Sequence, residues 1–258
     1  MRLMKRILSA VAVLALSASL LVGCSSGTAS SVPVSASSAA ESTVSSVEET
    51  ASSAVDENEA AAAQLLNDLT GSYQELWPVI LADEYKQTWL DDCTALVGED
   101  NAEAAFEKLS SMVTGDVYGE DAVKAYANGG GAYFCGFTNS LAILTFDGET
   151  STISGTDKDG NVLFSHTYHY IGMEPVRGLY EFQSDDADSG EFTYFFLAPD
   201  TSAETYHIEF RYGSDADALS QYDAGDYAYW VASGISTDCD QTMIDNCIEL
   251  FCTENLAG

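Results

Sequence analysis

Thr205-Tyr206-His207-Ile208-Glu209-Phe210-Arg211-Tyr212-Gly213 is the stretch whose side chains are richest in chemistry. Read as a strand, it alternates. Tyr206, Ile208, Phe210 and Tyr212 share one face; Thr205, His207, Glu209 and Arg211 share the other. An imidazole, a carboxylate and a guanidinium then stand in a row, which supplies a nitrogen donor, an oxygen donor and a fixed positive charge. Two placements produce such a row: the wet inner face of a small barrel, or the solvated outer face of an ordinary antiparallel sheet. The other two histidines, His166 and His169, lie on a second strand-like run, Val162 to Ile171. Being three apart they face opposite sides, so at most one points inward.

Enzyme signatures are missing from the chain. It has no Gly-x-Ser-x-Gly, no phosphate-binding glycine loop and no His-Glu-x-x-His, and Gly129-Gly130-Gly131 reads as a turn. The 41 acidic residues make carboxylate proximity in sequence uninformative. The expectation is a protein that is not an enzyme.

The elements that must hold these residues fall in two groups. Helical spacing covers Leu65 to Leu81, interrupted at Thr70-Gly71 and with Pro78 predicting a kink. It continues over Asp83 to Val97 and Glu99 to Met112, and a shorter helix fits Glu120 to Ala127. From Tyr133 the period changes to two. Tyr133–Phe137, Leu141–Phe146, Thr150–Ser154, Val162–Ile171, Gly178–Phe182, Phe192–Leu197 and Tyr206–Tyr212 read as short strands with turn signals such as Asp147-Gly148 between them. The acidic loop Gln183–Gly190 lacks the mid-loop Gly and distal Glu of an EF-hand and reads as a solvated turn. Met243, Ile244, Cys247, Ile248, Leu250 and Phe251 form one helical stripe within Asp238–Leu256, with Thr237 or Asp238 as N-cap.

The start of the chain is of another kind. Arg2, Lys5 and Arg6 precede an apolar run to Val22, and Leu21-Val22-Gly23-Cys24 follows. This is the layout of a bacterial lipoprotein leader, residues 1–23, with Cys24 as the lipidated first residue. Residues 24–63, rich in Ser and Ala, read as a disordered linker, although a helix can begin within Ala60–Leu66. Residues 64–258 are then one domain, tethered by lipid at the cell membrane and facing away from the cytoplasm.

The net charge is −32, and losing Arg2, Lys5 and Arg6 with the leader takes it to −35. Nucleic acid is therefore excluded as a partner by repulsion of its phosphates. Five cysteines remain besides Cys24: Cys93, Cys135, Cys239, Cys247 and Cys252. An odd number cannot pair completely, and Cys247 with Cys252 is poor bridge geometry on a helix. Most read as small buried apolar residues, and one bridge such as Cys93–Cys135 is open.

The order of segments also carries a resemblance. Gly71-Ser72-Tyr73-Gln74-Glu75-Leu76-Trp77 is followed by helices and a β-meander. Next come Ala198-Pro199, the strand His207-Ile208-x-Phe210-x-Tyr212-Gly213, and Tyr227-Ala228-Tyr229-Trp230 before a last helix. This resembles the ZinT domain family over roughly Leu65 to Phe251. The resemblance implies an α+β, β-rich fold: a calycin- or lipocalin-like antiparallel barrel with N-terminal helices and a C-terminal helix. It implies an extracytoplasmic protein with a divalent metal ion, zinc first, as its partner. The chain departs from the family at the metal. The family's strand reads His-x-His, where this chain has Thr205 and His207, and Phe195 stands near the family's third histidine. His207 is thus the leading ligand, with His166, His169, Glu191 and Glu209 as the others that could rebuild a mixed nitrogen and oxygen site. The alternative is a barrel without metal that holds a small apolar or aromatic molecule among Phe195, Tyr206, Phe210, Tyr212 and Trp230. A third reading is a surface interaction domain with no ligand.

Overall fold

A computed structural model describes residues 57–199 and 205–257. Cys24, the leader and the linker up to residue 56 lie outside the described residues. The helix α1 occupies residues 57–68, so helical structure reaches into the stretch read as linker. Ala62, Leu65, Leu66 and Leu69 explain why: they are buried in the main core, and burial of an apolar stripe is what makes a short helix stable.

Eight strands form a closed antiparallel barrel in chain order. They are β1 (Gly71–Glu75), β2 (Ile143–Asp147), β3 (Thr152–Thr156), β4 (Val162–Met173), β5 (Tyr180–Ser184), β6 (Tyr194–Leu197), β7 (Ile208–Gly213) and β8 (Ala232–Ser236). The closing strand β1 pairs with β2 through Tyr73↔Leu144 and with β8 through Gln74↔Ile235. The fold is α+β and calycin-like. Closure leaves no open sheet edge.

The remaining helices enter between β1 and β2, between β7 and β8, and after β8. They are α2 (Leu76–Ile80), α3 (Lys86–Val97), α4 (Glu99–Val113), α5 (Glu120–Ala127), the single turn α6 (Ala216–Leu219) and α7 (Gln241–Leu256). Pro78 is the third residue of α2, where no intrahelical N–H is needed, so it causes no break. The N-cap of α7 is Asp240, whose carboxylate accepts from the Met243 amide at 2.9 Å, rather than Thr237 or Asp238.

Two cores result. One fills the barrel with Phe146, Ile153, Phe164, Phe182, Phe195, Phe210, Tyr212 and Trp230. The other lies outside the wall, where Trp77, Trp89, Leu109, Ile248 and Cys252 of the helices meet Ile235 of β8. Gly234 in β8 marks how closely the closing strands approach: a Cβ there would lie 3.1 Å from Ile208 Cγ1 and 3.4 Å from Tyr73 Cβ. The stretch Tyr133–Phe137 differs from its reading as a strand, since its described pairing is isolated bridges from Phe134 to Thr114 and Trp230.

Candidate functional site: the outer wall of β7

Tyr206 departs from the alternation of the row. Its φ is +66°, in the left-handed region that bulky residues avoid. The alternation therefore fails one residue before β7 begins. Tyr206 packs with the helical cluster, not with the interior aromatics. His207, half-buried, points to the outside of the barrel. It lines a hollow of about 70 Å³ with Leu76, Trp77, Glu209, Cys247 and Glu254. Of the two placements open to this row, the outer one is found: His207, Glu209 and Arg211 lie on the outer face, and the helices and loops that follow cover part of it.

The ring's protonation follows from its partner. His207 Nδ1 stands 2.7 Å from the carbonyl of Thr205. A carbonyl only accepts, so Nδ1 carries the proton and Nε2 keeps the lone pair. Nε2 is 3.9 Å from Glu209 Oε1. Cys247 Sγ lies 3.9 Å from Nδ1, the nitrogen already engaged. Burial pushes the Cys247 thiol up to about 12, so it is protonated at neutral pH and a poor ligand.

The remaining sequence candidates stand elsewhere. His166 faces inward on β4 and its Nδ1 is 2.8 Å from Asp186 Oδ2. His169 faces outward, with Nδ1 2.6 Å from Asp185 Oδ1. Register sets them far from His207. Tyr170, Phe182, Phe195 and Tyr212 form one cross-strand row through β4 to β7. His166 precedes that row on β4 and His207 precedes it on the oppositely directed β7. They diverge by about nine residue steps, on the order of 30 Å along the strands. One ion cannot bind both, which removes His166 and His169 from the ligand set. Glu191 is also elsewhere: its carboxylate accepts from Ser214 and from Tyr227, each at 3.1 Å.

The interior holds rings. Phe195 and Tyr212 have centroids 5.4 Å apart, Tyr212 and Trp230 5.0 Å, and Phe195 and Phe210 6.4 Å. All four are at most 1% exposed. The hydroxyl of Tyr212 donates to the Thr138 carbonyl at 2.9 Å, which anchors the stack. An open groove of about 510 Å³ lies on the outer wall between α2 and the β2–β3 side, lined by Gln74, Glu75, Val79, Ile143, Asp157 and Lys158. The Glu75 carboxylate there already accepts from the Phe137 amide at 2.6 Å.

Farther along the outer face, Arg211 is fully buried. Its guanidinium donates to the carbonyls of Leu219 and Tyr227 and lies over the Tyr222 ring, 4.3 Å from the centroid. Arg177 lies over the same ring at 4.4 Å. Buried Glu174 accepts from the Val176 and Arg177 amides at 2.6 and 2.8 Å and from the Tyr222 hydroxyl at 3.2 Å. This cluster locks the 216–229 segment to β7.

Sequence reading missed Cys247 and Glu254 as neighbours of His207. The signal was present: 247, 250 or 251, and 254 fall on one face of α7 by helical spacing.

Among the described residues, no group of three or more His, Cys, Asp or Glu is arranged to hold a metal ion. A tightly held zinc, which needs three or four converging ligands, does not fit. His207, Glu209 and Glu254 share the lining of one hollow.

The fold is an antiparallel barrel of calycin type, and on its wall His207, Glu209 and Glu254 line a small hollow among apolar side chains. No family model matches the chain, and no curated protein matches it in sequence. Similar solved structures include these two. One is the Zn(II)-bound ZinT-like domain of Streptococcus pneumoniae AdcA, at 14% identity and a TM-score of 0.45, covering 72% of this chain and 89% of that one. The other is Zn(II)-bound AdcA from the same organism, at 13% identity and a TM-score of 0.43, covering 70% of this chain and 34% of that one. At this distance the zinc belongs to those proteins alone, and the barrel rests on its own strand pairing.

Proposed function

We propose that the chain is a lipid-anchored extracytoplasmic binding domain that takes up a divalent metal ion, zinc first, on the outer wall of its barrel. The donors are Nε2 of His207 and the carboxylate of Glu209, with Glu254 the third candidate. One observation carries this reading: the Thr205 carbonyl fixes the proton on Nδ1 and so leaves Nε2 unprotonated toward a carboxylate, the arrangement by which proteins prepare a histidine for metal. The site is weak and exchangeable, because solvent must supply the remaining ligands. It suits transient capture rather than a structural role. The leader ending in Cys24 supports the tether.

The test is zinc stoichiometry in equilibrium dialysis, with the free metal buffered at a series of constant levels up to saturation. About one zinc per chain is expected, lost in His207→Ala and in Glu209→Ala. The −35 charge of the mature chain concentrates cations without selectivity. His207→Ala leaves the formal charge unchanged at neutral imidazole, so it separates a site from that atmosphere. Zinc uptake equal in the wild type and His207→Ala sinks the reading. Incorporation of labelled fatty acid, abolished by Cys24→Ser, tests the tether separately.

A further inference from the structure

Cys93 on α3 and Cys252 on α7 are 159 residues apart, yet their sulfurs lie 3.9 Å from one another. Both are 0% exposed. They sit where α3 and α7 pack in the helical core. The other described cysteines meet different groups. Cys135 Sγ is 4.0 Å from the Tyr133 carbonyl, and Cys247 Sγ is 3.9 Å from His207. The bridge left open in the sequence, Cys93–Cys135, is not formed, and the sulfur next to Cys93 is that of Cys252. All five described cysteines are free thiols in this structure.

We propose that Cys93 and Cys252 form a disulfide that joins α3 to α7 in the exported protein. The reaction is exchange with an external disulfide such as oxidised glutathione. Each protein thiol gives up a proton and the pair gives up two electrons. The glutathione S–S bond breaks to two thiols as the Cys93–Cys252 bond forms. A sulfur separation of 3.9 Å must close to about 2.05 Å.

Timing follows from burial, which raises both thiols above the ordinary range. Folded, they are shielded and poorly nucleophilic. The bond therefore forms while the chain folds and is then protected from reductants. The linked residues close a very long loop, the case in which a cross-link restrains the unfolded chain most. The bridge also bears on the hollow at β7, because α7 supplies Cys247 and Glu254 to it. It stands, however, without any metal. It rests on the extracytoplasmic reading only for its oxidant.

The test is disulfide mapping. The full chain is unfolded in urea with reductant, refolded in oxidised and reduced glutathione, alkylated in denaturant, cut at acidic residues and mapped by mass spectrometry without reduction. The expected result is one cross-linked peptide pair, Cys93 with Cys252, and alkyl groups on Cys135, Cys239 and Cys247. The Tm of the oxidised chain should exceed that of the reduced chain by roughly 5–10 °C, and the gap should vanish in Cys93→Ala and Cys252→Ala. Alkyl groups on both Cys93 and Cys252, or a link from either to another cysteine, overturns the proposal. If a variant fails to fold, the map of the wild type still decides. A chain that bridges in the tube but stays in the cytoplasm when expressed overturns the location and not the bridge.

Discussion

Along β7 the inner face is covered throughout and the outer face in part, by unlike means. Ile208, Phe210 and Tyr212 meet other side chains inside the barrel and stack ring upon ring. Arg211 and His207, on the outer side, meet mostly backbone: the carbonyls of Leu219, Tyr227 and Thr205. Hydrocarbon packing is dense and non-directional, and it leaves no room for a ligand where the aromatic rings meet. Carbonyl partners are directional and leave one edge of an imidazole unused. The difference teaches that a filled barrel can retain binding chemistry only on its wall, at junctions with later parts of the chain.

The largest expected effect separates the layers by ionisation. Cys135 and Cys247 belong to the helical layer, and burial pushes each from an ordinary 9.0 up to about 12. The unfolded thiols ionise near the ordinary value and the native ones do not. Their contribution is therefore complete below pH 9 and declines as pH rises toward 12. Each pH unit within that window costs about 1.4 kcal/mol per thiol as an upper bound. Urea unfolding from pH 7 to 11 should show the fall, made shallower by Cys135→Ala and Cys247→Ala. A pH response unchanged in both variants would place the alkaline sensitivity in the interior tyrosines, Tyr168 and Tyr212, whose hydroxyls burial also raises.

Next in size is truncation of the interior. Phe210→Ala should cost about 3–5 kcal/mol in urea unfolding, whereas Glu209→Ala, next to it on the exposed face, should stay within about 0.5 kcal/mol. Equal costs would erase the contrast between the faces. Arg211→Lys should cost about 2–3 kcal/mol, because an ammonium cannot span two carbonyls while lying flat on Tyr222. A near-neutral result would mean that the 216–229 segment is held by other contacts.

How much of this was legible in the sequence depends on the strand. Six strands, β2 to β7, announce themselves by alternation and turn residues. The two that complete the barrel do not. In β1 only Tyr73 is buried, and the helical spacing of Leu76, Trp77 and Ile80 starts at once, so the segment reads as helix throughout. In β8, Ala232, Ser233, Gly234 and Ile235 are all buried, so a strand covered on both sides shows no period and its small residues give no propensity signal. The histidine at 207 was found, but its direction was not. Strand parity fixes only that His207, Glu209 and Arg211 share a face, and the burial of Ile208, Phe210 and Tyr212 inside the barrel is what sends that face outward. Helical spacing puts Cys247 and Glu254 on one face of α7, but which strand that face meets is set by tertiary structure.

The smallest expected effect on stability is also the sharpest on function. His207→Ala removes one hydrogen bond, to the Thr205 carbonyl, from a side chain 18% exposed. Net hydrogen bonds of this kind contribute about 0.5–1.5 kcal/mol, and solvent can reach the freed carbonyl, so the loss should stay under about 1 kcal/mol. Zinc retention should nevertheless disappear, because Nε2 is the only imidazole nitrogen at that hollow. His166→Ala gives the matched control. It removes an imidazole of similar exposure, 17%, paired to Asp186, and it should leave zinc retention unchanged. If both variants lose zinc equally, the ion is held by the general acidity of the surface and β7 has no privileged place. If only His207→Ala loses it, the wall and not the lumen carries the binding chemistry of this barrel.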